Sequence, residues 1–392
     1  MRISEIEIHE YESTMQDVAG HVGHREYSPG STKQSPGFVL TLRTADGTEG
    51  TYRGFMFTPP MVAQVKMVAE PLVLGRDPLE REEIWQDLWG ALRHTDHLGL
   101  GAIDIALWDL AGNHYDESIS SLLGGYRDPV PAYASTYFGD DHPDGLSSPE
   151  AFAEFARECR DRGYPGFKLH PFGDPDRDIE TVRAVAAAVG DDMDLMIDPA
   201  SEYRTYQDAL RVGRVLDELD FYWYEDPMID TGQSINMTKK LVKELDTPML
   251  GVEHVRSGPF GRADHLSEEG LDLVRADAHL DSGITGVMKI AHLAEAFGVD
   301  VELHVGGPAH LHCVSAIRNT NYFEHGLLHP QLEGDRSVGS FVEPVEVLNS
   351  DGTIDVPDGP GLGVEIDWDF VEEHLTEHTL ITESGTEVER PD

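Results

Sequence analysis

Three acidic residues, each at the end of a short apolar run, constrain the fold of this chain more than any other feature. Asp198 ends the run LMID, Glu225 ends FYWYE and Glu253 ends MLGVE, and turn signals follow each run. The three acids are 27 and 28 residues apart. Short runs rich in aliphatic and aromatic residues are typical of buried strands, and the intervals leave room for one returning helix. The spacing therefore predicts repeated βα units.

A series of βα units forms a parallel sheet, and closing that sheet into a barrel puts the carboxyl ends of all strands on one face. Five more strand candidates bring the set to eight, and they lie at 130–135, 166–170, 271–279, 299–304 and 321–324. Helix-like segments separate them, most clearly at 149–163, 176–189 and 206–219. We therefore expect an α/β fold with a (β/α)8 TIM-like barrel over 129–340.

Carboxylates that converge at one face of such a barrel offer only oxygen ligands, which suit a divalent cation. The alternative is that acidic residues are simply abundant in this chain. Because Asp198, Glu225 and Glu253 occupy the same place in successive units, we interpret them as metal ligands.

The segments on either side of the barrel follow a different pattern. Residues 2–11 alternate as a strand does, 37–52 predict a hairpin that turns at Asp46–Gly47, and 98–113 predict a helix. These elements define an α+β unit over 1–128, with a loop at 15–36. We expect a return segment over 341–375 to pack on this unit and complete it, and we expect an acidic tail over 376–392.

The charge of the chain limits its partners. The 73 acidic residues exceed the 29 basic residues and give a formal net charge of −44, which argues against nucleic acid and anionic membranes. Adaptation to a high-salt cytoplasm explains such a surface, because salt screens the repulsion between carboxylates. A calcium-buffering surface is the alternative, but the acids lack EF-hand spacing.

The cysteines and the apolar runs indicate the cellular compartment. The two cysteines, Cys159 and Cys313, lie in helix-like stretches and indicate neither a disulfide framework nor a cysteine-based zinc site. The chain shows no signal-peptide pattern and no apolar run of membrane-spanning length. We therefore expect a cytoplasmic protein.

Further polar residues lie at the predicted strand ends. Asp277 and His304 end the sixth and seventh strands and are 27 residues apart, so they should be neighbours, and the aspartate would fix the tautomer of the imidazole. Lys168 and His170 are two residues apart on the second strand and should both face the barrel interior. Glu324 ends the eighth strand and could hydrogen-bond a substrate oxygen. A structural histidine or a solvated acid is the plainer alternative for each.

Four motifs resemble the enolase superfamily, mandelate racemase-like subgroup. They are GAIDIALWDLAG at 101–112, WYEDP at 223–227, GIT at 283–285 with KIA at 289–291, and PGLG at 360–363. The resemblance spans about 3–370 and implies an α+β capping domain over a (β/α)8 barrel with one Mg²⁺, for which Mn²⁺ is a possible substitute.

The resemblance also implies roles for individual residues. Asp198, Glu225 and Glu253 match the metal ligands of the family, Asp277 with His304 matches its His/Asp dyad, Glu324 matches its carboxylate-contacting acid, and Lys168 matches the first lysine of its Lys-x-Lys motif. The sequence departs from the family at three places. His170 replaces the second lysine, Ala200 replaces an Asn or His of some members, and Asp281–Ser282 replaces a pair that often includes glycine.

The chemistry that the resemblance implies is abstraction of a proton next to a carboxylate, with an enediolate stabilised by the metal, Lys168 and Glu324. Loss of a β-hydroxyl would then give a 2-keto-3-deoxy acid, so we expect an acid-sugar dehydratase acting on an aldonate or aldarate. A racemase or epimerase of a 2-hydroxy acid is the second hypothesis, and a non-catalytic binding protein that retains the fold is the third. We also expect a homo-oligomer.

Two assignments concern the substrate more closely. In the family a capping-domain loop covers the substrate, here at about 16–31, and His24, Arg25 and Tyr27 are candidates to contact it; a solvated loop is the alternative. His304 is expected to take the α-proton, and His170 is expected to approach from the other face. The reverse assignment, with His170 as the base, stays open.

Overall fold

The structure is a computed structural model that describes residues 1–20, 25–54, 56–332 and 340–391. Its strands, in chain order, are β1 (Ile3–Ala19), β2 (Glu26–Thr44), β3 (Glu49–Gly54), β4 (Val130–Phe138), β5 (Gly166–His170), β6 (Asp194–Ile197), β7 (Trp223–Glu225), β8 (Met249–Gly251), β9 (Leu273–Ala276), β10 (Asp300–Leu303), β11 (Phe323–Leu328), β12 (Thr353–Ile354), β13 (Leu375–Thr382) and β14 (Gly385–Glu389).

The helices lie mostly between the barrel strands. In chain order they are α1 (Thr58–Val68), α2 (Arg81–Ala91), α3 (Leu98–Tyr115), α4 (Ile119–Leu123), α5 (Pro149–Arg162), α6 (Pro175–Val189), α7 (Tyr206–Leu219), α8 (Ile235–Glu244), α9 (Gly258–Ser267), α10 (Gly283–Phe297), α11 (Gly307–Ala316) and α12 (Trp368–Glu373). A π-helical segment, Ala69–Val73, follows α1. None of the helices in the described ranges combines the length and the apolarity needed to cross a membrane.

The second half of the chain confirms the predicted barrel. Eight parallel strands follow the order β10-β9-β8-β7-β6-β5-β4-β11, a nearly closed ring. Each predicted strand matches an observed strand within a few residues, since apolar runs bounded by turn residues mark strands that are buried on both faces. Side chains of five strands fill the barrel interior, namely Tyr133, Met196, Trp223, Leu250 and Leu273.

The helices between these strands begin at polar caps. The side chain of Ser148 accepts a hydrogen bond from Ala151 N before α5, Asp174 accepts from two amides before α6, and Thr205 accepts from Asp208 N before α7. Such caps satisfy amide groups that have no partner inside the helix, and each contributes about 1 kcal/mol. They fix where each helix starts and therefore how each strand end is presented.

The capping unit is an antiparallel sheet in the order β14-β13-β1-β2-β3. The prediction of a loop at 15–36 is wrong for the described residues, because β1 continues to Ala19 and β2 begins at Glu26. Pairing runs from Gln16 opposite Thr32 to Ala19 opposite Glu26, and Val18 is fully buried. The physical reason is that the apolar side chains of this stretch gain burial when the two strands pair.

The C-terminal segment also differs from the expectation of an acidic tail over 376–392. Most of it forms the β13–β14 hairpin, and β13 pairs with β1 from Glu5 opposite Thr382 to Tyr11 opposite Leu375. Thr379 and Ile381 of β13 are buried in this sheet. Backbone pairing with an apolar partner strand outweighs the polar composition that suggested a tail.

Helix α3 joins the capping unit to the barrel. It carries the GAIDIALWDLAG motif, and nearly all of its first fifteen residues are buried. A β-carbon at Gly101 would collide with the carbonyl oxygen of His279, next to the barrel strand β9. Close approach of backbones at this position therefore requires glycine. The contact places the capping unit directly beside the carboxyl end of β9.

The seam between the last two strands of the barrel is closed partly by a side chain. Val301 N donates to Asn319 O at 2.8 Å, and the Glu302 carboxylate accepts from Asn321 N at 3.1 Å and from Asn321 Nδ2 at 2.9 Å. Glu302 is fully buried, and burial raises its pKa to about 7 despite the hydrogen bonds from Asn321 and the charge of Arg275. The seam therefore contains a carboxyl group whose charge is unfavourable.

We expect Glu302→Gln to stabilise the protein near neutral pH. A carboxyl whose pKa rises on folding does not change the free energy of unfolding at low pH, where it is protonated in both states. As the pH rises from its unfolded pKa through about 7, it lowers the free energy of unfolding, to a limit of about 3 kcal/mol. The amide keeps the shape and the acceptor of Glu302. Urea unfolding at about pH 5 and about pH 8 should show an advantage for the variant that increases with pH.

Glu302→Ala is the matched control for this prediction. It removes the acceptor of the Asn321 amide and should lower the free energy of unfolding at both pH values, by about 1–3 kcal/mol. An advantage of Glu302→Gln that is independent of pH would contradict the assignment of a buried, titrating carboxyl.

Candidate active site

Three consecutive barrel strands carry the predicted metal ligands at their carboxyl ends. Asp198 directly follows β6, Glu225 is the last residue of β7, and Glu253 lies two residues past β8. One carboxylate oxygen of each lies within 4.8 Å of the others. The sequence period therefore places these side chains together, as predicted, at the mouth of the barrel.

The direction of the Glu253 side chain is set by its neighbours. Val252, just before it, has a φ of 70°, which is a strained conformation for a β-branched residue. The Asp226 carboxylate accepts hydrogen bonds from Val252 N at 3.1 Å and from Glu253 N at 3.0 Å and so holds this turn. Arg262, fully buried, also donates to Val252 O at 3.0 Å. The strained turn aims Glu253 at the other two acids.

The balance of charge in this cluster fits one divalent cation. Four carboxylates, those of Asp198, Glu225, Glu253 and Glu324, are grouped around the side chains of Lys168 and Arg275. Two cations leave two negative charges uncompensated in a buried site, which is costly unless a cation binds. Burial raises the pKa of Glu225 even though Arg275 and Lys168 act to lower it. An all-oxygen donor set of this charge suits Mg²⁺.

Lys168 is a buried cation of this cluster. Its Nζ lies 2.7 Å from Glu324 Oε1, 3.0 Å from Glu225 Oε2 and 3.5 Å from Asp198 Oδ2. Burial alone would lower its pKa, but Glu225 and Glu324 outweigh burial and hold the pKa well above its usual value. Lys168 therefore stays protonated, which suits stabilisation of negative charge rather than removal of a proton.

Arg275 was not predicted from the sequence, although it contacts more of the cluster than any predicted residue except Lys168. Its guanidinium lies 2.6 Å from Glu225 Oε1 and 2.9 Å from Glu324 Oε2, and it is fully buried. It also donates to Leu303 O at 3.0 Å. Arg275 thus holds the side chains of Glu225 and Glu324 in one arrangement. A signal existed, since Arg275 precedes Asp277 by two residues on a buried strand and must face the same way.

The predicted dyad is present in the structure. His304 Nδ1 lies 2.8 Å from Asp277 Oδ2, and Asp277 Oδ1 accepts from His279 N at 2.6 Å. Because Nδ1–H donates to the carboxylate, Nε2 is the atom free to take a proton. Nε2 lies 3.4 Å from Glu253 Oε1, so it points at the metal-ligand cluster.

The acidity of the dyad depends on the charge next to it. Burial acts to lower the pKa of His304, but the carboxylates of Glu253 and Asp277 outweigh burial and raise it to about 9. A divalent cation on Glu253 would offset the effect of that carboxylate and bring the pKa of His304 closer to neutrality. A general base at neutral pH needs such a value.

Asp281, one of the departures from the family, supports the dyad. Its Oδ2 accepts from Asp277 N at 3.0 Å and from Arg262 Nη2 at 2.8 Å. Ser282, the other member of the pair, has a φ of 71°, which a glycine would adopt without strain. The departure thus adds a buried ion pair under Asp277, and the same arginine also holds the Glu253 turn.

His170 lies on the other side of the metal-ligand cluster. Its Nδ1 donates to Thr136 O at 2.7 Å, and its Nε2 lies 3.1 Å from Asp198 Oδ2. His170 therefore engages the ligand on β6 while His304 approaches the ligand on β8, so the two imidazoles flank the cluster.

Glu324 lies on the floor between them. It accepts from Ser135 Oγ at 2.7 Å in addition to its contacts with Lys168 and Arg275. Burial would raise its pKa, but Lys168 and Arg275 outweigh burial and lower it well below the usual range. Glu324 is therefore an ionised acceptor facing the cleft.

A cleft of about 380 Å³ lies above these residues, between the barrel mouth and the capping unit. His170, Asp198, Glu253, His304 and Glu324 line its floor. Arg25, Lys33, Gln34, Met56 and Phe57 line it from the capping unit. The polar floor and mixed roof suit a small, hydroxylated anion.

The lid residues are placed differently from one another. Arg25 lies along the cleft beside Lys33. Tyr27 instead packs against His329, with ring centroids 4.4 Å apart, and against His142 at 5.7 Å. His24 lies outside the described residues. Of the three lid candidates, the structure thus brings only Arg25 to the cleft within the part of the chain that it describes.

This fold and this constellation of residues match a known family. Residues 17–124 match the N-terminal domain of the mandelate racemase / muconate lactonizing enzyme family, and residues 151–370 match the enolase C-terminal domain-like family. The chain therefore belongs to the mandelate racemase-like subgroup of the enolase superfamily, a family of enzymes.

Three relatives are similar to this chain over most of their length. D-galactarolactone cycloisomerase of Agrobacterium fabrum is 33% identical over 86% of this chain and 90% of its own length. D-xylonate dehydratase of Haloferax volcanii is 28% identical over 89% and 88%. A crystal structure of D-glucarate dehydratase from Agrobacterium tumefaciens, complexed with magnesium, is 36% identical, covers 96% of this chain and 99% of its own, and has a TM-score of 0.89.

Proposed function

We propose that this protein is a Mg²⁺-dependent acid-sugar dehydratase that converts an aldonate or aldarate into a 2-keto-3-deoxy acid. The observation that carries the proposal is the convergence of an all-oxygen metal-ligand triad with the Asp277–His304 dyad on the floor of one cleft. Relatives named as dehydratases of gluconate, arabinonate, xylonate and glucarate support the substrate class.

Each residue at the cleft has a separate role in removal of the α-proton. His304 Nε2 removes the proton next to the substrate carboxylate, and Asp277 stabilises the imidazolium that forms. The buried ammonium of Lys168, 2.7 Å from Glu324 Oε1, offsets the negative charge that develops on the substrate, and Glu324, which lines the cleft, accepts a hydrogen bond from the substrate. A bound Mg²⁺ would supply further positive charge to the substrate carboxylate.

Loss of the β-hydroxyl completes the reaction. His304 carries the abstracted proton and delivers it to the departing hydroxyl when the two groups are on the same side, so water leaves and the enol remains. His170 orients the substrate from the other side of the cluster or, once water has left, protonates C3 of the enol. The enol hydroxyl then gives up its proton to solvent as the carbonyl forms, so the protons balance and the product is the 2-keto-3-deoxy acid.

A racemase or epimerase is the second candidate, because the two imidazoles flank the cluster. Removal of the α-proton by one and its return by the other would invert the α-carbon without loss of a hydroxyl. Two contacts favour this candidate, because they place one imidazole at each side of the cluster: His170 lies against Asp198, and His304 lies against Glu253. The two activities share the removal of the α-proton and differ in whether a hydroxyl then leaves or a proton returns.

An acid-sugar library tests both candidates. Pentonates, hexonates, hexarates and their lactones are incubated with Mg²⁺ in D₂O, keto-acid formation is measured chemically, and exchange at the α-carbon is measured by NMR. Keto acid together with exchange supports the dehydratase, whereas exchange with inversion alone supports the epimerase. Absence of both from the whole library would contradict the proposal and favour a binding protein.

We expect Arg25→Ala to change selectivity between acid sugars. Arg25 and Lys33 lie side by side along the cleft, and in the described residues no carboxylate forms an ion pair with either of them. A second carboxylate on the substrate would pair with Arg25, and such a pair contributes about 1.5–3 kcal/mol. The variant should raise the KM for hexarates about 10- to 100-fold relative to hexonates.

Arg157→Ala, on the exposed face of α5, is the control for that experiment. It removes the same charge from the surface and should leave the ratio of KM values unchanged. If Arg25→Ala left the ratio unchanged as well, Arg25 would have no part in substrate recognition.

We propose further that the acidic surface suits a cytoplasm of high salt. The net charge of −44 destabilises a compact chain by self-repulsion, and dissolved salt screens that repulsion. The D-xylonate dehydratase relative comes from Haloferax volcanii.

A further inference from the structure

A second cluster of metal-ligating side chains lies far along the chain from the barrel acids, on the capping sheet. Glu7 and His9 come from β1, His378 comes from β13, and His9 and His378 are directly opposite in the register of the two strands. A side-chain nitrogen or oxygen of each residue lies within 4.8 Å of the others. We refer to these residues as the Glu7–His9–His378 cluster.

The spacing within the cluster is unusual for hydrogen bonding. His378 Nε2 lies 3.6 Å from Glu7 Oε2, and His9 Nε2 lies 3.9 Å from the same oxygen. Both distances exceed a hydrogen bond. Two ligands of one tetrahedral zinc ion, each about 2.0–2.1 Å from the metal, are about 3.3–3.5 Å apart. The donors are thus spaced nearly as ligands of a shared ion are.

The remaining contacts leave these donors available. Arg43 Nη1 donates to Glu7 Oε1 at 2.8 Å, so Oε2 is the oxygen that faces the histidines. The rings of His9 and His378 are stacked, with centroids 4.3 Å apart and an angle of 24° between planes. His378 Nε2 is a buried atom without a hydrogen-bond partner among the described residues. A buried polar atom without a hydrogen-bond partner destabilises the folded protein unless a ligand binds it.

The protonation state of His9 is compatible with coordination. Burial and the neighbouring ring of His378 lower the pKa of His9 to about 4, so its imidazole is neutral near pH 7. A neutral ring nitrogen is the form that binds a metal.

We propose that the Glu7–His9–His378 cluster binds a divalent transition-metal ion, of which Zn²⁺ is the natural probe, with two imidazole nitrogens, one carboxylate oxygen and water as the fourth ligand. Nitrogen ligands favour zinc, cobalt or nickel over magnesium, whereas the barrel site offers only oxygen.

Such an ion would link strands from opposite ends of the sequence. His378 belongs to the β13–β14 hairpin, which lies beyond the matched family domains, and β13 is held to the rest of the sheet through β1. Metal binding to the folded cluster only would stabilise the docked hairpin by mass action. The proposed role is structural and does not depend on the reaction in the barrel.

Zinc binding in the presence of excess Mg²⁺ tests the proposal. The full chain is dialysed against Zn²⁺ in high potassium chloride, so that Mg²⁺ occupies the barrel site and salt suppresses loose binding to surface carboxylates. Bound zinc is measured by elemental analysis, and the unfolding temperature is measured with and without zinc. We expect one zinc per chain and a higher unfolding temperature for the wild type.

Matched variants show whether the cluster holds that ion. His9→Asn and His378→Asn should each lose the zinc and the rise in unfolding temperature, while His114→Asn, at an exposed histidine on α3, should keep both. Equal zinc content in all four proteins, or no zinc in the wild type, would overturn the proposal.

Cobalt spectroscopy covers the case in which the variants fail to fold. Co²⁺ added to the Mg²⁺-saturated wild type should give the intense visible absorption of a four-coordinate site with nitrogen ligands. A weak, octahedral spectrum only would overturn the proposal, whatever the variants do.

Discussion

Asp198→Asn, Glu225→Gln and Glu253→Gln are each expected to reduce keto-acid formation and α-carbon exchange by at least about 10³-fold, because each removes a charged metal ligand worth several kcal/mol to the reaction. The amides keep nearly the same shape, so the barrel should remain folded. Rates, magnesium content and circular dichroism are measured on each variant. The three losses should be similar, since a site with two carboxylates holds the cation too weakly.

A control variant and removal of the metal ion both check this prediction. Glu158→Gln, at an exposed acid on α5, should keep full activity. Chelation of the wild type should abolish activity, and Mg²⁺ or Mn²⁺ should restore it, because both ions accept oxygen ligands. Activity that survives chelation, or a ligand variant that remains active, would contradict the assignment of the metal site.

His304→Asn is expected to lose both α-carbon exchange and keto-acid formation, by about 10²–10⁴-fold. His304 combines a carboxylate partner on Nδ1, Asp277 at 2.8 Å, with an Nε2 directed at the metal-ligand cluster, whereas the Nδ1 of His170 donates to the carbonyl of Thr136. Burial acts to raise the pKa of Asp277, but the hydrogen bond from His304 and the neighbouring histidines outweigh it and lower it well below its usual range. Asp277 is therefore ionised, and its negative charge stabilises the imidazolium that His304 forms when it takes a proton.

His170→Asn separates the two imidazoles. If His170 acts after proton removal, this variant keeps exchange at a substantial fraction of the wild-type rate while keto-acid formation falls. His94→Asn, at an exposed histidine, controls for loss of a histidine as such. Normal exchange by His304→Asn together with none by His170→Asn would reverse the two roles.

The sequence predicted the barrel closely, because three successive apolar runs lead to an acid at intervals of 27 and 28 residues and the other strands are apolar runs bounded by turn residues. The interval between Asp198, Glu225 and Glu253 determined both the architecture and the place of the site. The same reasoning placed Asp277 beside His304, and the structure shows the hydrogen bond between them. These predictions depend on local periodicity, which survives in a single sequence.

Contacts between strands that are distant in the sequence could not be predicted from local periodicity. Arg275 could be assigned to the barrel interior, but its partners Glu225 and Glu324 lie 50 and 49 residues away on other strands. The left-handed conformation of Val252 is equally hidden, because Asp226 and Arg262 impose it through tertiary contacts. The pairing of β1 with β13 depends on strands more than 360 residues apart.

That last pairing has a consequence for the order in which the molecule can be assembled. Strand β1 precedes every barrel strand along the chain, yet the edge that pairs with β13 stays open until Leu375–Thr382 has been synthesised. Domains tend to fold as units as they emerge. The barrel strands, all of which precede residue 330, can therefore close while β1 is paired with β2 only. An unpaired strand edge invites association with other chains, so the nascent protein is exposed to aggregation until β13 has been synthesised.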